Sequence, residues 1–295
     1  MALVVETTSN AAGNNVGSVS ITAPTGINTG DILLIVACAQ EVNTPTGFTR
    51  ILNLTTTSRT RAFYKIAVLA DETSSNYSVS FNASAGGGAA TMLRISGWSS
   101  GDPLFGSTSN ESTFSDGNEP TSVGQTGLTL KRPSAQLLVY ISSVIVEDTT
   151  SDFSYSGYSI TSSDSNPTWT EVIDTEVFYG ANASAATLAV AYANSSNTST
   201  ITAYSADLAE SGFSTGIGSV DVALLIFAQP TNVEPYVSPL NVVPSVNSLV
   251  ATNNVAADVP HLAVEPTING LSSKKTPTPW SNPDKPNTNW NNLPK

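Results

Sequence analysis

The chain has 295 residues, room for one large β domain or two small ones and a tail. Only 12 % of residues are charged, and the formal net charge is −12. An acidic chain lacks the basic face that nucleic-acid binding needs, and no apolar run is long enough for membrane insertion.

Solubility must come mostly from Ser, Thr and Asn, whose side chains compete for backbone hydrogen bonds inside helices, so β structure is expected. Residues 2–6 and 18–23 read as short strands, with the Asn- and Gly-rich stretch Asn10 to Gly17 as the turn between them. Asp31 to Ala39 (Asp-Ile-Leu-Leu-Ile-Val-Ala-Cys-Ala) is too short to span a bilayer and rich in β-branched residues. It predicts a central strand covered on both faces, with the single cysteine, Cys38, as a buried small hydrophobe. Pro45-Thr46-Gly47 turns into a strand through Phe48 to Ile51, and Arg61 to Val68 follows. Tyr77, Val79 and Phe81 alternate with polar residues at the period of a half-buried strand. Gly86 to Gly88 breaks the chain, and Ala90 to Ile95 restarts it.

The same order then recurs. Leu104 to Asn110 echoes Leu3 to Asn10, and Leu128 to Leu130 echoes Ser20 to Thr22. Ala135 to Val146 echoes the central strand, and Pro167-Thr168-Trp169 echoes the Pro-Thr-Gly-Phe turn. Ala186 to Ala193, Ser199 to Tyr204 and Val220 to Phe227 complete the set. The fold class is all-β: a duplicated antiparallel β-sandwich, jelly-roll-like, with halves at 1–103 and 104–229. Either each half closes its own sandwich, or the halves interleave as the two sheets of one.

The second half carries an insertion from Glu147 to Asn166. It contains Phe153, Tyr155 and Tyr158 among Ser and Gly, with Trp169 just beyond. Aromatics in such a setting suit a ligand or receptor loop; alternatively the rings fold back and cap the sandwich.

Residues 230–295 hold eleven of the seventeen prolines and read as an extended arm without a core of its own. All four of its lysines lie at or beyond Lys274, so its end is basic against an acidic body. Short apolar pieces such as Tyr236-Val237 are candidate anchors on a neighbour. The arm ends in a ten-residue repeat, Lys275-x4-Trp280-x-Asn282-x2-Lys285-x4-Trp290-x-Asn292-x2-Lys295. Trp is a favoured interface anchor, so these residues form a candidate partner-binding set.

Chemistry is weakly represented. Gly212 to Gly216, around Ser214, has the letters of a nucleophile elbow, but a strand is expected after it and the single histidine, His261, sits in the arm. One His and one Cys do not make a zinc site. Glu147, Asp148 and Asp152 lack a calcium-loop signature, and Gly86 to Gly88 lacks the following Lys-Ser/Thr of a phosphate loop. The expectation is a non-enzyme with no catalytic residues, no metal and no cofactor.

The order Gly30-Asp31-Ile-Leu-Leu, Pro45-Thr-Gly-Phe-Thr, Ala62-Phe-Tyr-Lys-Ile-Ala and Met92-Leu-Arg-Ile-Ser-Gly97 resembles β-sandwich virion structural proteins of tailed bacteriophages. The Trp-x-Asn-x2-Lys repeat looks like terminal repeats of some phage tail and fibre-associated proteins. The resemblance implies localisation in the virion, other virion proteins as partners, and a homo-oligomer. It implies a tail or fibre-attachment component, with a head-decoration protein on the capsid surface as an alternative. A carbohydrate-binding adhesin that recognises a host-surface glycan through Tyr155, Tyr158 and Trp169 is the reading from a different class.

Overall fold

The computed structural model describes residues 3–14, 16–39, 41–54, 60–81, 87–115, 118–133, 135–146, 152–179, 184–211 and 217–229. The chain divides into two units, Met1–Tyr236 and Val237–Lys295, and every described residue belongs to the first.

The first half forms β1 (Val4–Gly13), β2 (Ser18–Thr22), β3 (Ile32–Ala39), β4 (Thr49–Asn53), β5 (Arg61–Ile66), β6 (Asn76–Ser80) and β7 (Gly88–Ser96). A 3-10 turn at Leu69–Thr73 links β5 to β6. The second half forms β8 (Leu104–Ser115), β9 (Ser122–Leu130), β10 (Gln136–Val146), β11 (Asp152–Thr161), β12 (Thr170–Tyr179), β13 (Ser184–Ser195), β14 (Ile201–Ser211) and β15 (Ile217–Ala228).

Every pairing is antiparallel. The first half builds a five-stranded sheet, β1-β7-β3-β5-β4, and a two-stranded sheet, β2-β6. The second builds β8-β15-β10-β13-β12 and β9-β14-β11. Substituting β8 for β1, β15 for β7, β10 for β3, β13 for β5 and β12 for β4 turns one large sheet into the other. β9 and β14 stand for β2 and β6, and among the described strands only β11 has no counterpart. The duplicated order read from the letters is the duplicated order of the sheets.

Each half closes its own sandwich, and the two sandwiches stack through their large sheets. Three apolar layers result. Leu33, Ile35 and Ala37 face Val19, Ile21 and Val79 inside the first sandwich. Leu138, Tyr140 and Leu224 face Tyr155, Ile201 and Tyr204 inside the second. Between the large sheets lies a shared core in which Ile32, Leu34, Val36 and Cys38 meet Leu137, Val139, Leu225 and Phe227. β3 and β10 are therefore walled in on both faces, and all eight residues of β3 are buried. Two-sided burial removes the need for a polar alternate position, so the strand is written as an unbroken apolar run.

The large sheets meet with β12 lying against β1 and β7, and β13 against β3 and β7. At the start of β5, Thr60 reaches the other half: its amide donates to Asp221 Oδ2 at 3.4 Å, and its hydroxyl lies 2.5 Å from that of Ser143.

Local signals explain several corners. Phe48 N–H donates to Pro45 O at 3.1 Å, and Gly47 has φ +80°. That is a type II turn, where the third residue must tolerate positive φ. One boundary departs from expectation. Asn10 to Gly13 is strand rather than turn, because Ala11 and Ala12 pair with Ala90 and Ala89 and the Thr91 hydroxyl donates to Asn10 Oδ1 at 2.6 Å.

Candidate interaction sites

The aromatic group singled out from the sequence sits differently from a recognition loop. Phe153, Tyr155 and Tyr158 lie on β11, a regular strand paired with β14. Alternation drives Phe153 and Tyr155 into the second sandwich, where they are 3 % and 5 % exposed. These two rings have no free face for a ligand, which corrects the loop assignment for them. A register shift between Ser156 and Ser159, with Gly157 at φ +60°, lets Tyr158 follow them onto the same core.

Tyr140 is the hub of this cluster. Its ring meets Tyr158, Tyr204 and Trp169 edge-on, with centroids 5.3, 5.9 and 6.5 Å apart. Edge contacts at such distances favour the positive rim of one ring over the negative face of the next. Each hydroxyl is satisfied from within. Tyr140 donates to Val123 O at 2.9 Å and Tyr158 to Glu171 Oε2 at 2.9 Å. Tyr155 lies 2.9 Å from Thr187 Oγ1, which also accepts the Val144 amide at 3.0 Å. Burial pushes the phenols of Tyr140, Tyr155, Tyr158 and Tyr204 above their ordinary range, and the Glu171 carboxylate pushes Tyr158 further. Tyr158 and Trp169 remain half-buried, and the Trp169 indole N–H donates to Asn166 Oδ1 at 3.3 Å.

Two clefts of about 380 Å³ open along the seam between the halves. One is lined by Asn10 to Ala12 and Glu171 to Thr175, and Asn10 Nδ2 donates across it to Val172 O at 3.0 Å. The other is lined by Leu3, Val4, Ala135, Gln136 and Asn194 to Ser196. There Ala135 takes φ +54°, and buried Gln136 donates to Asn197 O at 2.8 Å while its Oε1 has no hydrogen-bond partner.

The exposed large hydrophobics among the described residues are Val4, Val68, Leu69 and Phe105, with Leu69 at 74 %. All lie at one end of the stack. Val4 pairs with Ser96 at the end of β7, and β5 ends beside Ile32 just before Val68. Phe105 follows Leu104, which pairs with Phe227 near the end of β15. The same end holds Gln229, whose side chain donates to Gly97 O and accepts from Ser99 N–H at 3.2 Å. Sequence reading missed this shared end, because its members are scattered along the chain and reach it only through strand register.

Two charged networks are built for structure. Arg132, with no exposed side-chain surface, donates to Ser199 O at 2.7 Å and to Asp164 Oδ2 at 3.1 Å, clipping three connections together. Asp71 accepts from Lys65, Tyr77 and the Val68 amide at 2.7, 3.0 and 2.8 Å. Burial alone would push its carboxyl up, but these donors outweigh it and hold the pKa below the usual carboxylate value. Among the described residues, no three His, Cys, Asp or Glu side chains gather as a metal site.

The arm set Tyr236, Lys275, Trp280, Asn282, Lys285, Trp290, Asn292 and Lys295 lies outside the described residues, as do Ser214, His261, Glu147 and Asp148. Comparison with protein-family models finds no match, and comparisons with curated proteins and with solved structures find none either.

Proposed function

We propose that this chain is a non-enzymatic structural component of a tailed-phage particle. It sits in the tail or at a fibre attachment and docks on neighbouring virion proteins through its C-terminal arm. One contrast carries the reading. Up to Gln229 the chain spends its apolar residues on three closed layers of core. Beyond Gln229 come 66 residues (230–295) with eleven prolines, a basic end and paired Trp-x-Asn-x2-Lys units. A polyproline-like chain of that length reaches up to about 200 Å at roughly 3 Å per residue, a span suited to laying Trp anchors on separate neighbours.

The aromatic group supports this over glycan recognition. Of the three residues of the glycan platform, Tyr155 is spent on the core. Tyr158 and Trp169 are tilted 39° to each other rather than coplanar. The test is removal of residues 270–295 from the full chain, followed by a comparison of particle incorporation. Loss of incorporation with an unchanged circular-dichroism spectrum is expected. Undiminished incorporation would overturn the proposal.

A further inference from the structure

We infer that the root of the C-terminal arm turns back onto its own body, where the Tyr236 ring fills the cleft lined by Leu3, Val4, Ala135 and Gln136. The inference goes beyond the assembly reading and leaves Trp280 and Trp290 to neighbours. Both partners belong to the first unit, which ends at Tyr236.

Three observations mark the cleft as a seat. Val4 on its wall is 42 % exposed, and apolar surface in a concave site is stabilised when a second apolar group covers it. Ala135 is the one non-glycine residue at positive φ among the described residues. Strain of that kind collects where a ligand or a segment of chain is clamped. Gln136 is buried, with its Nε2 donating to Asn197 O at 2.8 Å and its Oε1 accepting no hydrogen bond. A buried acceptor without a donor is costly, so an occupant that brings an O–H is favoured over a purely apolar one. Tyrosine combines an apolar ring with such a donor.

The point where the chain leaves the sheets decides the occupant. β15 ends at Ala228, which pairs with Gln136, and paired strands run about 5 Å apart. Ala228 N–H donates to Pro103 O at 3.0 Å. The Gln229 side chain donates to Gly97 O and accepts from the Ser99 hydroxyl at 2.7 Å. Gly97 adjoins Ser96, the partner of Val4. The arm therefore starts beside both walls of the cleft. Its first seven residues are Pro-Thr-Asn-Val-Glu-Pro-Tyr, and Tyr236 is its first aromatic. They reach about 20 Å at roughly 3 Å per residue. So short a tether presents the ring at roughly millimolar effective concentration, which a free partner of like chemistry at micromolar level does not match. Pro230 and Pro235 stiffen the tether, so less freedom is lost on docking.

The test is hydrogen exchange of the peptide spanning residues 230–240 in the isolated full chain, at about 1 and 10 µM. Its amides should exchange at least about tenfold slower than an unstructured peptide, equally at both concentrations. Tyr236→Ser should abolish that protection, and so should Val4→Asp, a change at an exposed position that leaves the circular-dichroism spectrum unchanged. Phe105→Ser, at the same end of the stack but outside the cleft, should leave it intact. Exchange at the unstructured rate in the wild type would overturn the inference. So would protection that survives both cleft variants, that is lost equally with Phe105→Ser, or that grows with concentration, which marks a second copy as the occupant. Protection found only in the assembled particle would reject the cleft and leave the arm-docking proposal standing.

Discussion

Leu34→Ala is the sharpest probe of the stacked architecture. Leu34 is fully buried and points into the layer between the sandwiches, among residues of both halves. Removing its isobutyl group loses transfer free energy and leaves a cavity, costing about 2–5 kcal/mol. For a folded unit of 150–250 residues each kcal/mol lowers Tm by about 2–4 °C, so a drop of roughly 4–20 °C is expected by scanning calorimetry. The informative comparison is Leu33→Ala. Leu33 is equally buried but faces only the first sandwich's own core. Because the shared layer couples the halves, both variants should melt in one transition. In hydrogen exchange, Leu34→Ala should accelerate amides in β10 and β15 as much as those in β3. Two separate transitions, or acceleration confined to the first half, would refute a common core.

Further outcomes follow from particular contacts. Arg132→Ala removes the donor to Ser199 O and Asp164, and should cost roughly 1.5–3 kcal/mol, the range for hydrogen bonds to a charged group; urea unfolding measures it. Gly124→Ala would place a Cβ 2.0 Å from Tyr204 O and 2.8 Å from Ser205 Cα, both backbone, so β9 must shift from β14. A loss of about 1–3 kcal/mol in the same assay is expected. The tyrosines give a pH dependence. Tyr140, Tyr155, Tyr158 and Tyr204 have folded-state values raised above 10.0, and burial pushes Tyr77 up to about 12. The folded state holds these protons more tightly, so their stabilisation is complete below pH 10 and is lost as pH rises through the folded values. An alkaline titration followed by phenolate absorbance should show delayed ionisation that ends in cooperative unfolding.

Much of the fold was legible because burial on two faces and on one face leave different traces. The run from Ile32 to Ala39 announced a strand covered on both sides, and the order of its neighbours, repeated a hundred residues later, announced the duplication. How the halves would stack was not legible. β3 and β10 show which residues are buried, but an apolar alternate position does not say which sheet it will face. β11 was a missed strand rather than an unreadable one. Phe153, Tyr155, Tyr158 and Ile160 keep an inward alternation once Gly157 is allowed to carry a bulge, and the Ser and Gly between them disguised it as a loop. The shared end of Val4, Val68, Leu69 and Phe105 could not be seen at all, since they reach it only through register between distant strands.

Hydrogen exchange of the peptides spanning Trp280 and Trp290, compared between the isolated chain and the assembled particle, tests the docking claim most directly. The account predicts exchange at least about tenfold slower in the particle, the slowing a bound segment shows when its opening costs about 1.4 kcal/mol or more. Equal rates in the two states would contradict it.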